Sequence, residues 1–86
     1  MSLNVYRDEA GHFLEAIHAA EESVGKKIML LQQELGILEA NINDEKTINH
    51  QVYDLLFILF EIASQYNLDL DAEWLAGQLR KKHKYL

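Results

Sequence analysis

Thr47-Ile-Asn-His-Gln-Val-Tyr-Asp-Leu-Leu-Phe-Ile-Leu-Phe-Glu-Ile-Ala-Ser-Gln-Tyr66 is the stretch on which the fold turns. Its centre, Leu55 to Phe60, is six apolar residues closed by Glu61, a composition that by itself suits a strand. The pattern continues for about twenty residues without a turn signal, however, and strands rarely exceed about ten. The stretch therefore reads as a helix over 47–66 with Thr47 as candidate N-cap. Its apolar centre marks it as the element packed against all the others. Tyr66-Asn67 ends it, because asparagine tolerates the left-handed backbone wanted just past a helix C-terminus.

Working outward, Asn41 to Lys46 is polar and rich in turn formers, so it reads as a tight connection. Before it, Ile28, Leu31, Leu35 and Leu38 recur three and four apart and predict a helix over 23–41, with Ser23 as N-cap. Phe13, Ile17 and Ala20 predict another over 8–22, with acidic Asp8 and Glu9 near its start. One long kinked helix stays open, since Gly25 costs only about 1 kcal/mol inside a helix. Beyond Asn67, Asp69 or Asp71 caps a fourth helix over about 71–83 that buries Trp74, Leu75 and Leu79. Four helices with short connections give an all-α antiparallel four-helix bundle.

Composition narrows the function. The chain has 86 residues, enough for a single domain over 1–86, and no cysteine or proline. That removes disulfides, thiolate metal sites and cysteine nucleophiles. A chain this small buries only about 60–65% of its unfolded surface, so self-association is expected. Eight basic against fourteen acidic residues give −6, the wrong sign for a nucleic-acid binder. No apolar run is long enough to cross a membrane. Met1-Ser2-Leu3 lacks the pattern of a signal peptide, so a cytoplasmic place is expected. There is no Gly-rich phosphate loop, no GxSxG elbow and no HExxH among His12, His18, His50 and His83. What remains is carboxylates on helices, the chemistry of Mg²⁺ or Mn²⁺.

Two short segments carry that chemistry: Gln33-Glu34-Leu35-Gly36-Ile37, then Gln51-Val52-Tyr53-Asp54. Folding the hairpin about Asp44 puts Glu34 level with Asp54 and Ile37 level with Gln51. Two facing carboxylates in a helix pair are strained unless a cation or a proton lies between them.

These segments resemble the MazG-like all-α nucleoside triphosphate pyrophosphohydrolases, a group that includes the phosphoribosyl-ATP pyrophosphohydrolases. Gln33 to Ile37 falls on the family's EExxE and Gln51 to Asp54 on its ExxD, separated by residues 38–50. The likeness runs over about residues 26–85 and extends through Asn67-Leu-Asp-Leu-Asp71 and the basic stretch Lys81 to Tyr85. It implies an oligomeric helical bundle, a homodimer or homotetramer. It also implies hydrolysis of a nucleotide to monophosphate and pyrophosphate with Mg²⁺ or Mn²⁺ as cofactor. By position, Glu34 and Asp54 are the implied metal ligands, with Gln51 and Gln33 assisting. Lys81 and Lys84 are implied phosphate contacts, and Tyr53, beside Asp54, is a candidate substrate contact through its phenol.

Only Glu34 and Asp54 of the five acidic positions are kept; Gln33 and Gln51 are amides and Ile37 offers no ligand atom. A catalytically degenerate relative, acting as a nucleotide-binding or helical assembly module, is the competing expectation. Glu39 points about 140° away from Glu34, and Glu61 lies about 10 Å from Asp54 along the helix, so neither restores the set. His50 reads as a surface residue, and Trp74, Phe57 and Phe60 as core aromatics. The basic tail Arg80 to Lys84 is explained adequately by the helix dipole.

Overall fold

The computed structural model describes residues 2–86; Met1, the first residue of the segment read above for a leader, lies outside them. The described residues form four α-helices and no strand: α1 Leu3–Ala16, α2 Val24–Ala40, α3 Glu45–Gln65 and α4 Leu70–Tyr85. None is long and apolar enough to cross a membrane.

The boundaries follow from capping. Ser23 caps α2 as expected, its hydroxyl accepting from the Lys26 N–H at 3.2 Å. α1 and α2 are separate, so the single kinked helix does not form. α1 stops at Ala16 because His18 adopts φ 59°, and a paired capping arrangement closes the turn. The Ala19 N–H donates to Leu14 O at 2.8 Å and the His18 N–H to Glu15 O at 3.1 Å. The same arrangement ends α3, with Asn67 at φ 51° and Leu68 N–H on Ala63 O at 2.9 Å. Asparagine was the residue expected there; histidine gives no such signal.

Two starts differ from expectation. Asp44, not Thr47, caps α3, accepting from the Thr47 N–H at 3.4 Å and its hydroxyl at 2.8 Å. The hydroxyl bond, reinforced by the main-chain one, holds the Asp44 carboxyl below its ordinary pKa. α1 begins at Leu3 rather than near residue 8 because its first N–H donates to Asp71 Oδ1 at 2.6 Å, a cap borrowed from α4. Of the two candidate caps for α4, Asp69 takes the role, accepting from Ala72 N–H at 3.1 Å.

α1 and α2 both pack on α3, whereas α4 packs mainly on α1. α3 thus supports two neighbours rather than three. The buried apolar set is small: Ala10 and Leu14 of α1, Ile58 and Ala63 of α3. Phe13 and Ile17, expected to face inward, are 46% and 52% exposed, and Ala20 lies beyond the helix. Gly11 lets α1 approach α3 closely, since a Cβ there would collide with the Ser64 hydroxyl. α4 has no buried residue at all; Trp74, Leu75 and Leu79, expected in the core, are about 60% exposed.

Candidate functional site

The α2–α3 hairpin brings Glu34, Gln51 and Asp54 together. Glu34 is half-buried on α2, and Gln51 on α3 is buried opposite it. The Gln51 side-chain amide donates to Glu34 twice, to its main-chain oxygen at 3.0 Å and to its carboxylate. The hairpin register differs from the one expected about Asp44: Gln51 meets Glu34, not Ile37. Inside the hairpin this neutral donor satisfies the Glu34 carboxylate.

Asp54 lies one turn further along α3 and lines the same cleft as Glu34. The cleft holds about 470 Å³ and is walled by Phe13 of α1, Leu30 of α2, and Tyr53, Phe57 and Ile58 of α3. Its aromatic wall is ordered by contact: Phe13 meets Phe57 edge-on at 5.4 Å, and Tyr53 lies 5.9 Å from Phe57. The cleft lining thus combines aromatic and aliphatic side chains with two carboxylates. His50, read as a surface residue, is exposed but reaches Asp54, with Nε2 3.1 Å from Oδ2 one turn away on the helix. From sequence Phe13 reads only as a member of an apolar helix stripe and Leu30 carries no signal; a helical apolar pattern gives no sign of which members border a cleft.

The remaining candidates are elsewhere. Gln33 is exposed and does not line the cleft, and Ile37 is 44% exposed. Glu39 is exposed. Lys81 and Lys84 are on α4, and neither lines the cleft; Lys81 borders a separate recess with Leu3 and Trp74.

Glu61 has a different partner altogether. Its carboxylate is 3.9 Å from the Lys27 ammonium, and both side chains are more than nine-tenths buried. Burial raises the Glu61 pKa, with Lys27 opposing the rise and Glu22 adding to it. This pair is committed to the α2–α3 contact rather than to the cleft.

The donor set can be tested against a cation. Among the described residues no group of three or more His, Cys, Asp or Glu is arranged to hold a metal. Two carboxylates in one cleft are too few for a two-ion centre. A single Mg²⁺ commonly binds through one or two carboxylates with waters and substrate phosphates, and Glu34 and Asp54 are the two carboxylates lining this cleft. The Gln51 amide nitrogen is already occupied by Glu34, so only its oxygen remains as a neutral donor.

Comparison with protein-family models, with curated proteins and with solved structures gives no match.

Proposed function

We propose that the chain is a MazG-like nucleotide pyrophosphohydrolase of the all-α type, working as a homodimer or homotetramer of antiparallel helical bundles. The observation that carries this reading is the meeting of the two motif segments. Glu34 and Gln51 are joined by hydrogen bonds, and Asp54 shares their cleft. The aromatic wall of Phe13, Tyr53 and Phe57 suits a nucleobase, leaving the phosphates toward Glu34 and Asp54. Those two carboxylates would hold one Mg²⁺ or Mn²⁺ that arrives with the nucleotide; Gln51 orients Glu34, and Gln33 contributes at most from the rim. When bound, such an ion neutralises phosphate charge and acidifies water. Attack of water on the α-phosphorus would break its bond to the α–β bridging oxygen, which leaves with pyrophosphate, while the water oxygen stays on the monophosphate and its proton passes to solvent. Tyr53, which lines the cleft, would hold the nucleotide through its ring or phenol.

Ile37 and the hydrogen-bonded Gln51 favour a second reading, a nucleotide-binding or assembly module without turnover. Pyrophosphate release from a panel of nucleoside triphosphates with Mg²⁺ or Mn²⁺, beside Asp54→Ala, separates the two. Release abolished by the substitution supports hydrolysis. No release across the panel, together with no gain in the Ile37→Glu/Gln51→Glu variant, removes the pyrophosphohydrolase reading.

A further inference from the structure

α4 is attached at its N-terminal end and has no buried residue along its length. At the attached end the N-termini of α1 and α4 cap each other. Asp71 accepts from Ser2 Oγ and Leu3 N–H, each at 2.6 Å, and Asn4 accepts from Leu70 N–H at 2.8 Å while donating to Asp69 at 3.0 Å. Arg7 adds a bond to Leu68 O at 2.7 Å. Beyond this clasp the helix projects with Leu75 and Leu79 61% and 60% exposed. An apolar stripe on a helix with no buried residue is a surface awaiting cover.

The same molecule carries a groove of suitable chemistry. It holds about 460 Å³, lined by Tyr6 and Glu9 of α1, Tyr53, Leu56, Phe57 and Phe60 of α3 and Trp74 of α4. Tyr53 and Phe57 belong to both this groove and the carboxylate cleft, so whatever fills the groove borders the cleft. From Tyr53 to Phe60 the groove follows about 10 Å of α3, two helical turns, enough to seat Leu75 and Leu79 about 6 Å apart.

Surface area identifies the occupant as a second copy. The accessible surface is 6764 Å², against about 5,200 Å² for a compact monomer of this mass. The radius of gyration is 14.7 Å, against about 12 Å for a compact chain of this length. The excess is well above the roughly 800 Å² per partner that a stable dimer buries. Charge points the same way. Lys81, Lys82 and Lys84 stand at the free end of α4, while Arg80 beside them is paired with Glu73 at 2.6 Å. The cleft beside the groove presents Glu34 and Asp54 and is lined by no basic residue.

We infer that two copies exchange α4 arms. Each arm lays Leu75 and Leu79 in its partner's α1–α3 groove, antiparallel to α3, and delivers its basic end to the mouth of the partner's cleft. The exchange is isologous and closes as a two-fold dimer. The role of the delivered lysines, meeting a polyphosphate that their own chain's cleft does not meet, rests on the proposed nucleotide site; the exchange itself does not.

The absence of native cysteine makes the test direct. Equimolar mixtures of single-cysteine chains are treated with a short bismaleimide: Leu79→Cys with Leu56→Cys for the groove, Lys84→Cys with His50→Cys for the basic end. Covalent heterodimers from both pairs are expected. Light scattering should give twice 10.0 kDa for the unmodified chain. Leu75→Glu/Leu79→Glu should give the monomer mass with helical circular dichroism retained. A wild-type monomer at high concentration overturns the inference. So does a dimer that forms no heterodimer link at Leu79 and Leu56, or a Leu56→Cys/Leu79→Cys chain that links only within itself. No nucleotide enters these readouts, so failure of pyrophosphate release and failure of arm exchange are separately visible.

Discussion

Gln51 is buried in the α2–α3 hairpin and donates to Glu34 through its side-chain amide. A second acid at this position would face Glu34 across the hairpin with nothing between them; the amide turns that repulsion into a bond. Replacing Gln51 by Glu should therefore lower stability by about 1–3 kcal/mol in chelator, the cost of losing a buried donor. Adding Mg²⁺ should recover part of it in thermal melts. A Gln51→Glu melt unmoved by both chelator and Mg²⁺ would count against a metal-competent cleft.

At the same scale, Lys27 and Glu61 form a buried pair of the kind whose removal is more costly by halves than as a whole. Lys27→Met alone should destabilise the protein by about 3–5 kcal/mol, whereas Lys27→Met/Glu61→Leu should come close to the parent in urea denaturation. The pH dependence has a fixed sign. Burial raises the folded pKa of Glu61, so its protonated form is favoured by folding. That contribution is present below the unfolded carboxylate value and is lost as pH rises through the raised folded value. Lys27→Met removes the opposing charge and should move this loss to higher pH.

Among the elements, the α1–α3 contact depends on Gly11. Alanine there gains about 1 kcal/mol of helix propensity, but its Cβ would meet the Ser64 hydroxyl and come within 3.3 Å of the Ser64 Cβ. Overpacking of this kind costs about 1–3 kcal/mol, so Gly11→Ala should be net destabilising. Ser64→Ala in the same chain should return most of the loss, measured by chemical denaturation. The helix ends show a related division. Ser23 and Asn67 act through residues adjacent in sequence and were legible there. The start of α1 depends on Asp71, 68 residues away, and could not be. Asp69 and Asp71 both hold lowered pKa values, led by hydrogen bonds from Asn4 and Ser2 respectively. The clasp is thereby tied to carboxylates that stay ionised well below neutral pH.

For the whole molecule, the decisive property is how much apolar surface the single chain leaves uncovered. Leu35, Val52, Leu56, Leu59, Leu75 and Leu79 are all more than 40% exposed. Few of the positions that helical periodicity assigns to the interior have an interior to occupy. Stability should accordingly depend on protein concentration. A tenfold dilution of a dimer that folds and dissociates together removes about 1.4 kcal/mol of apparent stability, and the melting temperature should fall with it. A melting temperature independent of concentration over a hundredfold range would identify the open monomer as the complete folding unit.

The sequence by itself determined four helices, because apolar spacing, the absence of proline and local cap residues act over one or two turns. It also determined that Glu34, Gln51 and Asp54 belong to one hairpin. Only the tertiary structure decided that Gln51 bonds Glu34, that Phe13 walls the cleft, and that Trp74, Leu75 and Leu79 lie outside. Periodicity specifies which side of a helix is apolar, whereas the rotation of each helix and the surface that covers it are set by contacts between residues far apart in the chain.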